Sequence, residues 1–107
     1  RPIIDHDHLA RYTLGDRALE REVLGLFVDQ IPQTLEALDT AESDADRVRA
    51  AHTLKCSARA VGAFRLADIA ERLERDIREG RSITGPRQEL DGACREVRGA
   101  VNAATAA

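Results

Sequence analysis

The stretch from His52 to Ser57 contains the residues of this chain best suited to chemistry. A neutral imidazole nitrogen is a competent nucleophile near neutral pH, so an exposed His52 has the chemistry to accept a phosphoryl group presented by another protein. Phosphoryl transfer needs in-line placement and positive charge near the phosphoryl oxygens, and little other covalent chemistry. Lys55, three residues beyond His52, is the natural source of that charge.

The helical period predicts that His52 points to solvent. At 3.6 residues per turn, one face of its helix is apolar and faces the core, and His52 lies nearly opposite. That apolar face consists of Ala51, Leu54, Ala58 and Val61. The outer face carries Arg49, Lys55, Cys56 and Arg59, which surround His52 with mostly basic side chains. An ordinary helix surface has the same pattern, so the spacing alone does not identify an acceptor.

The rest of the chain is predicted to supply helices that position this segment. We expect a short first helix over about 5–12, a break at 13–15, and four longer helices. Asp16, Ser43 and Thr84 suit helix N-termini, and Gly62 and Gly80 suit the ends of the third and fourth helices. Apolar residues recur at helical spacing in the second helix (Leu19, Val23, Leu26, Phe27, Leu35, Leu38), the fourth (Leu66, Ile69, Ala70, Leu73, Ile77) and the last (Leu90, Ala93, Cys94, Val97, Val101, Ala104).

These amphipathic helices with short connections predict an all-α fold, an antiparallel four-helix bundle with a short additional N-terminal helix. Pro32 lies inside the second helix, where we expect a kink, with two shorter helices as the alternative. The alanine-rich residues 103–107 are predicted to fray.

The composition sets limits on the class of protein. A length of 107 residues predicts one domain, 1–107, and 43% hydrophobic against 3% aromatic residues favours packed helices over sheets. A net charge of -3 without a long run of one sign argues against binding to nucleic acid or an anionic membrane. There is no membrane-spanning run or secretory signal, so we expect a cytoplasmic protein, and a monomer because the bundle closes its own core.

The sequence shows no other site that the chemistry favours. The spacing of Cys56 and Cys94 fits neither a zinc site nor a disulfide scaffold, so both are predicted to be free thiols. Asp5 to His8 contain potential metal ligands, but surface and capping roles are preferred for them. No glycine-rich phosphate loop is present, which indicates a chain that has no ATP site and does not phosphorylate itself.

The segment around His52 resembles the signature of histidine-containing phosphotransfer (Hpt) domains. The matching residues are His52-Thr53-Leu54-Lys55-Cys56-Ser57-Ala58, then Val61-Gly62-Ala63, Leu66 and Leu73-Glu74, against the family pattern H-x-L-K-G-S, then G-A, then L and a closing L-E. The resemblance implies that His52 is the phospho-acceptor and that Lys55 supports the phosphoryl group. It also implies a docking surface for a receiver domain, for which we predict Arg49, Cys56, Arg59, Gly62 and Ala63.

One residue departs from the family pattern. Cys56 stands where the family usually has glycine, which is understood to leave room for the active-site loops of the receiver. Cysteine is small, so we expect transfer to survive and the choice of partner to change. A redox role is the less favoured interpretation of this thiol.

The resemblance predicts a phosphorelay intermediate that shuttles a phosphoryl group between receiver aspartates through His52. Its partners would be response-regulator receiver domains and a histidine kinase or hybrid kinase. Mg²⁺ is expected on the receiver, with no cofactor or metal bound by this chain. A non-transferring helical interaction module and the phosphotransfer domain of a larger chemotaxis-type or hybrid kinase are the alternatives. The chain begins at Arg1 rather than at a methionine, which leaves open whether it is free-standing or part of a longer protein.

Overall fold

Five helices and no strand make up residues 2–105, the part of the chain that this computed structural model describes. They are α1 (His6–Thr13), α2 (Arg17–Thr40), α3 (Asp44–Ala60), α4 (Phe64–Arg78) and α5 (Thr84–Thr105). The connections at 41–43, 61–63 and 79–83 are short, so successive long helices run antiparallel. Residue 1 and residues 106 and 107, which the predicted domain and the predicted fraying tail include, lie outside the described part.

The four long helices form a closed bundle, as predicted. Helix α3 packs against α2 and α4, and α5 packs against the same two helices. The short α1 lies against α2. The result is an elongated molecule of 42 × 21 × 21 Å. Within residues 2–105, no helix is both long enough and apolar enough to cross a membrane.

Side-chain caps fix where several helices begin. Asp16 and Ser43 each accept a hydrogen bond from the backbone N–H three residues further on, which confirms both as N-caps. The prediction for Thr84 is wrong by one residue. The carbonyl of Ile83 accepts the N–H of Arg87, so Thr84 is already the first helical residue of α5.

The core is built mainly from leucine, isoleucine, valine and alanine of the four long helices, and Ile4 and Leu9 of the N-terminal part also belong to it. Every apolar residue predicted for the core face of α4 is buried. Of the six residues predicted for the core face of α5, only Ala104 is exposed. Leu19 and Leu26 of α2 are exposed, contrary to the prediction. Phe27 and Leu38 are buried as predicted, Val23 and Leu35 are half-buried against the core, and Leu24 and Ile31 complete the buried face of α2. Leu24 and Ile31 have the same spacing as Leu19 and Leu26, and only the orientation of α2 in the bundle distinguishes the two pairs.

Helix α2 is continuous through Pro32, so the alternative of two shorter helices is wrong. Proline lacks a backbone N–H, and its ring crowds the preceding turn. The ring of Pro32 is exposed, while Ile31 and Leu38 on either side of it are buried in the same core. Packing of both halves of α2 into one core therefore maintains the helix across the proline.

The turn between α3 and α4 depends on Gly62. Its φ of +83° lies in the left-handed region, and the backbone N–H groups of Gly62 and Ala63 donate back to the carbonyls of Arg59 and Ala58. The carbonyl of Gly62 accepts the N–H of Asp5 at 3.0 Å. A Cβ on Gly62 would lie 2.7 Å from the backbone oxygen of Asp5. Glycine is needed here both for the backbone conformation and for the approach of the N-terminal segment.

Gly62→Ala is expected to lower the free energy of unfolding by about 1–3 kcal/mol, because the methyl group meets backbone and the φ angle is strained. Urea denaturation followed by circular dichroism measures it. Gly99→Ala is the matched control, because a Cβ at Gly99 in α5 meets nothing within 4 Å. The control should equal or slightly exceed the stability of the parent. Equal stability of the two variants would contradict this account of the turn.

Candidate functional site

His52 lies near the middle of α3 with its ring directed away from the core. Its side chain is 53% exposed, whereas Ala51, Leu54 and Ala58 of the same helix are buried. The predicted orientation of His52 is therefore confirmed. A partner can reach the imidazole without any rearrangement of the bundle.

Glu74 of α4 holds one nitrogen of the His52 ring. The Nδ1 atom of His52 lies 3.3 Å from Oε1 of Glu74, whose side chain is only 5% exposed. An ionised carboxylate accepts hydrogen bonds and does not donate them, so this contact places a proton on Nδ1. In the neutral ring the lone pair then belongs to Nε2, which becomes the nucleophilic nitrogen.

Two cations complete the surroundings of the Glu74 carboxylate. Lys55 Nζ is 2.9 Å from Oε1, and an Arg78 guanidinium nitrogen is 3.0 Å from Oε2. Burial alone would raise the pKa of Glu74, but hydrogen bonds from Lys55 and His52 and the charges of Lys55 and Arg78 outweigh it and lower that pKa below its ordinary value. Glu74 is therefore ionised at neutral pH although it is buried.

Lys55 is less accessible than the sequence predicted. We expected an exposed cation beside His52, but the side chain is 13% exposed and its ammonium is paired with Glu74. The reason is that α4 packs on α3 at this level and brings a carboxylate over the lysine. Lys55 still shares one carboxylate oxygen with His52, so its charge lies beside the imidazole.

The basic side chains on the outer face of α3 around His52 are paired with acidic ones, which corrects the prediction of a mostly basic surface. Arg59 pairs with Glu71 of α4 at 2.9 Å, and the exposed Arg49 lies 3.5 Å from Asp46 of its own helix. The sequence of α3 alone does not show which acidic side chains of α4 lie beside these basic residues. Arg49 and Arg59 remain on the surface, where their predicted contacts with a partner stay a prediction.

Gly62 and Ala63 do not lie on a docking surface. Both are buried, Ala63 completely, because the α3–α4 turn is covered by the N-terminal segment at Asp5. Their prediction as docking residues is therefore corrected. Their place in the motif is explained by the turn, where the small residues let α4 start close to α3 and bring Glu74 under His52.

Glu74 is the site residue whose function the sequence did not reveal. The motif included it, but no role was predicted for it. A signal was present, because Glu74 directly follows Leu73 within the apolar repeat of α4, and Arg78 comes one turn later. A carboxylate and an arginine four residues apart at the edge of a buried face indicate a charge that is paired inside the bundle.

Cys56 contacts the other nitrogen of the ring. Its Sγ atom lies 3.4 Å from His52 Nε2, and the residue is exposed. With Nδ1 held by Glu74, the lone pair at Nε2 is the acceptor for the Cys56 thiol. Both cysteines are free thiols, as predicted. Burial raises the pKa of the Cys94 thiol to about 11 and keeps it protonated.

The N-terminal candidates for metal binding have structural contacts. Asp5 accepts the N–H of His8 as the N-cap of α1, which confirms the capping interpretation for that residue. The His8 ring packs edge-on against Phe64 and Tyr12, with centroids 5.0 and 5.2 Å apart. Residues 2–105 contain no group of three or more histidine, cysteine or acidic side chains arranged to hold a metal ion.

Replacing Glu74 with glutamine is expected to remove a pH-dependent part of the stability. Because the folded pKa of Glu74 is below its ordinary value of 4.5, its contribution is present above about pH 4.5 and is lost as the pH falls through the folded pKa. At neutral pH the free energy of unfolding of the variant should be about 1–3 kcal/mol lower than that of the parent, and this difference should become smaller below about pH 4.5.

Denaturation of both proteins from neutral pH to about pH 3 measures this difference. Glu22→Gln, which removes an exposed carboxylate of α2, serves as the control and should follow the parent at every pH. A difference between parent and Glu74→Gln that does not change with pH would show that the charge of Glu74 is not what stabilises this contact.

Comparison with known protein families identifies the family of this chain. The model that describes the Hpt domain matches residues 22–107, which include α3, α4, α5 and most of α2. Helix α1 lies outside the match. No curated protein and no solved structure gave a significant match. The match covers most of the chain, and the chain therefore belongs to the Hpt domain family.

Proposed function

We propose that this domain is a phosphorelay intermediate in which His52 accepts a phosphoryl group from the aspartyl phosphate of one receiver domain and delivers it to another. Hpt domains as a family serve histidine phosphotransfer and generally interact with receiver domains and kinases. The observation that carries the proposal for this chain is the exposed His52 ring held at Nδ1 by the buried carboxylate of Glu74. That contact leaves the nucleophilic lone pair on Nε2, the ring nitrogen on the side of the exposed Cys56.

The proposed step is an in-line displacement at phosphorus. The Nε2 lone pair forms the N–P bond while the bond from phosphorus to the aspartyl oxygen breaks, and the electron pair of that bond stays on the leaving carboxylate. The imidazole keeps its proton on Nδ1 and gains positive charge as the N–P bond forms. Glu74 lies 3.3 Å from that nitrogen and stabilises the charge, and it does more for the charged product than for the neutral ring.

Lys55 is proposed to stabilise the phosphoryl oxygens. Its ammonium is held one helical turn from His52 through the oxygen of Glu74 that His52 also contacts. A cation fixed before the reaction needs little reorganisation when negative charge arrives. Glu74 then has two roles, because it orients the histidine and positions the lysine.

The receiver is proposed to supply the Mg²⁺ and the remaining catalytic groups, and this chain to supply the nucleophile and the docking face. The exposed side chains beside His52 suited to contact the receiver are Arg49, Cys56 and Arg59. Arg59 is paired with Glu71, so a carboxylate of the partner would compete with Glu71 for the guanidinium group of Arg59. The cognate kinase and receiver are not specified by these contacts.

Transfer is tested by incubating the chain with a phosphorylated receiver and separating the products. Acid-labile label should appear on the parent chain and be absent from His52→Gln, because glutamine has no nucleophilic lone pair on nitrogen. His6→Gln, which changes an exposed histidine of α1, should accept label like the parent. Label that persists in His52→Gln would place the acceptor at another residue.

Lys55→Ala is expected to slow transfer by about 100-fold, the lower end of the effect of losing one positioned electrostatic group. It should also lower the free energy of unfolding by about 1 kcal/mol, because Glu74 loses one of its cations. Arg65→Ala is the control, because it removes an exposed cation whose partner Glu96 lies on α5. Single-turnover transfer rates of the parent and the two variants measure this effect. Equal rates for Lys55→Ala and the parent would show that Lys55 does not contribute to transfer.

A further inference from the structure

We propose that the Cys56 thiol controls access to the nucleophilic nitrogen of His52, and that His52 accepts a phosphoryl group only when this thiol has turned away. The inference rests on the proposed function and deepens it, because it concerns the same nitrogen. Its basis is that both ring nitrogens are already in contact with protein groups. Glu74 holds Nδ1, and Cys56 Sγ lies 3.4 Å from Nε2.

The sulfur and the incoming phosphorus compete for one position. A reactive complex brings the nucleophile and the phosphorus to about 3–3.5 Å, with the phosphorus along the lone pair. Cys56 Sγ lies at this distance from Nε2, close enough for the thiol to donate a hydrogen bond to that lone pair. The thiol and a phosphoryl group therefore cannot approach Nε2 together along that direction.

The position of Cys56 allows its thiol to move away from Nε2 of His52. Cys56 is exposed on the outer face of α3, so its thiol has solvent to turn into without moving the core. A helical side chain has two common χ1 rotamers, because the third runs into the preceding turn. Rotation from one to the other releases Nε2 while Glu74 keeps the ring in place. Cys56 is thus a residue that sets the rate and does not itself react.

A cysteine–histidine contact on one helix has one further consequence for specificity. A receiver that displaces the thiol on docking uses part of its interaction with this chain to free Nε2, whereas a chain with glycine here presents the nitrogen already free. The thiol therefore favours receivers whose contacting loops fit beside a turned Cys56 side chain. This role depends on the contact at Nε2 and not on the bulk of the residue alone.

Chemical phosphorylation isolates this effect from docking. Phosphoramidate is a small donor that needs no receiver. The Nε2–P bond forms while the P–N bond of phosphoramidate, protonated on its nitrogen, breaks, so ammonia leaves with the electron pair and Nδ1 of His52 keeps its proton. Initial rates for the parent, Cys56→Ala and Cys56→Gly are measured by ³¹P NMR. Both variants should react about two- to tenfold faster than the parent, the size expected for release of one weak hydrogen bond.

Thr53→Ala is the matched control, because it shortens an exposed side chain next to His52 and leaves the thiol in place. It should react at the rate of the parent. The ¹⁵N spectrum gives a second readout, because loss of a donor at Nε2 shifts that resonance in Cys56→Ala and leaves it unchanged in Thr53→Ala. The same spectra verify that each variant is folded.

Equal phosphoramidate rates for the parent and both Cys56 variants, or an unchanged Nε2 resonance in Cys56→Ala, would overturn the inference. Neither measurement needs a receiver. If no variant accepts label from any phosphorylated receiver while the phosphoramidate rates still increase as expected, the proposed function fails and the role of the thiol at Nε2 stands.

Discussion

The carboxylate of Glu74 is the interaction on which the site depends. It is buried between α3 and α4 and ionised, a state that is costly unless cations and hydrogen-bond donors surround it. Lys55, Arg78 and His52 provide those partners. One charge in the helix interface thus fixes the tautomer of the histidine and the position of the lysine.

The bundle supplies the rigidity that this arrangement requires. Helix α3 contacts both α2 and α4, so the backbone beneath His52 is supported from two sides. The α3–α4 turn sets the axial position of Glu74, and Gly62 allows the N-terminal segment to pack across it. At the far end of the bundle, Arg87 of α5 makes two hydrogen bonds to Asp39 of α2, at 2.7 and 2.8 Å, and lowers the pKa of that carboxyl group. These features hold the acceptor while leaving it exposed.

Much of the fold followed from the sequence because it depends on local signals. Caps at Asp16 and Ser43 and the glycine at Gly80 mark helix ends through hydrogen bonds within a few residues. Every apolar residue predicted for the core face of α4 is buried, whereas α2 has two apolar pairs of equal spacing, of which Leu24 and Ile31 are buried and Leu19 and Leu26 are exposed. Tertiary packing decides such cases, and no window along the chain contains that information.

In the site, too, some features follow from local sequence and others depend on tertiary packing. The orientation of His52 needed only the helical period, so it could be predicted. The pairing of Lys55 with Glu74 joins residues on different helices, and the burial of Ala63 depends on the N-terminal segment reaching across the turn. Cys56 could be recognised as a departure from the family pattern, but its contact with Nε2 required coordinates, since it depends on the rotamers of two side chains.

The central claim is that Glu74 reserves Nε2 of His52 for the phosphoryl group. The most direct measurement is the position of phosphorus on the ring, read from ³¹P–¹⁵N coupling in chain labelled at its histidines and phosphorylated by its receiver. We expect coupling to Nε2 of His52, with Nδ1 protonated against Glu74. Coupling to Nδ1, or phosphorus on another residue, would contradict it.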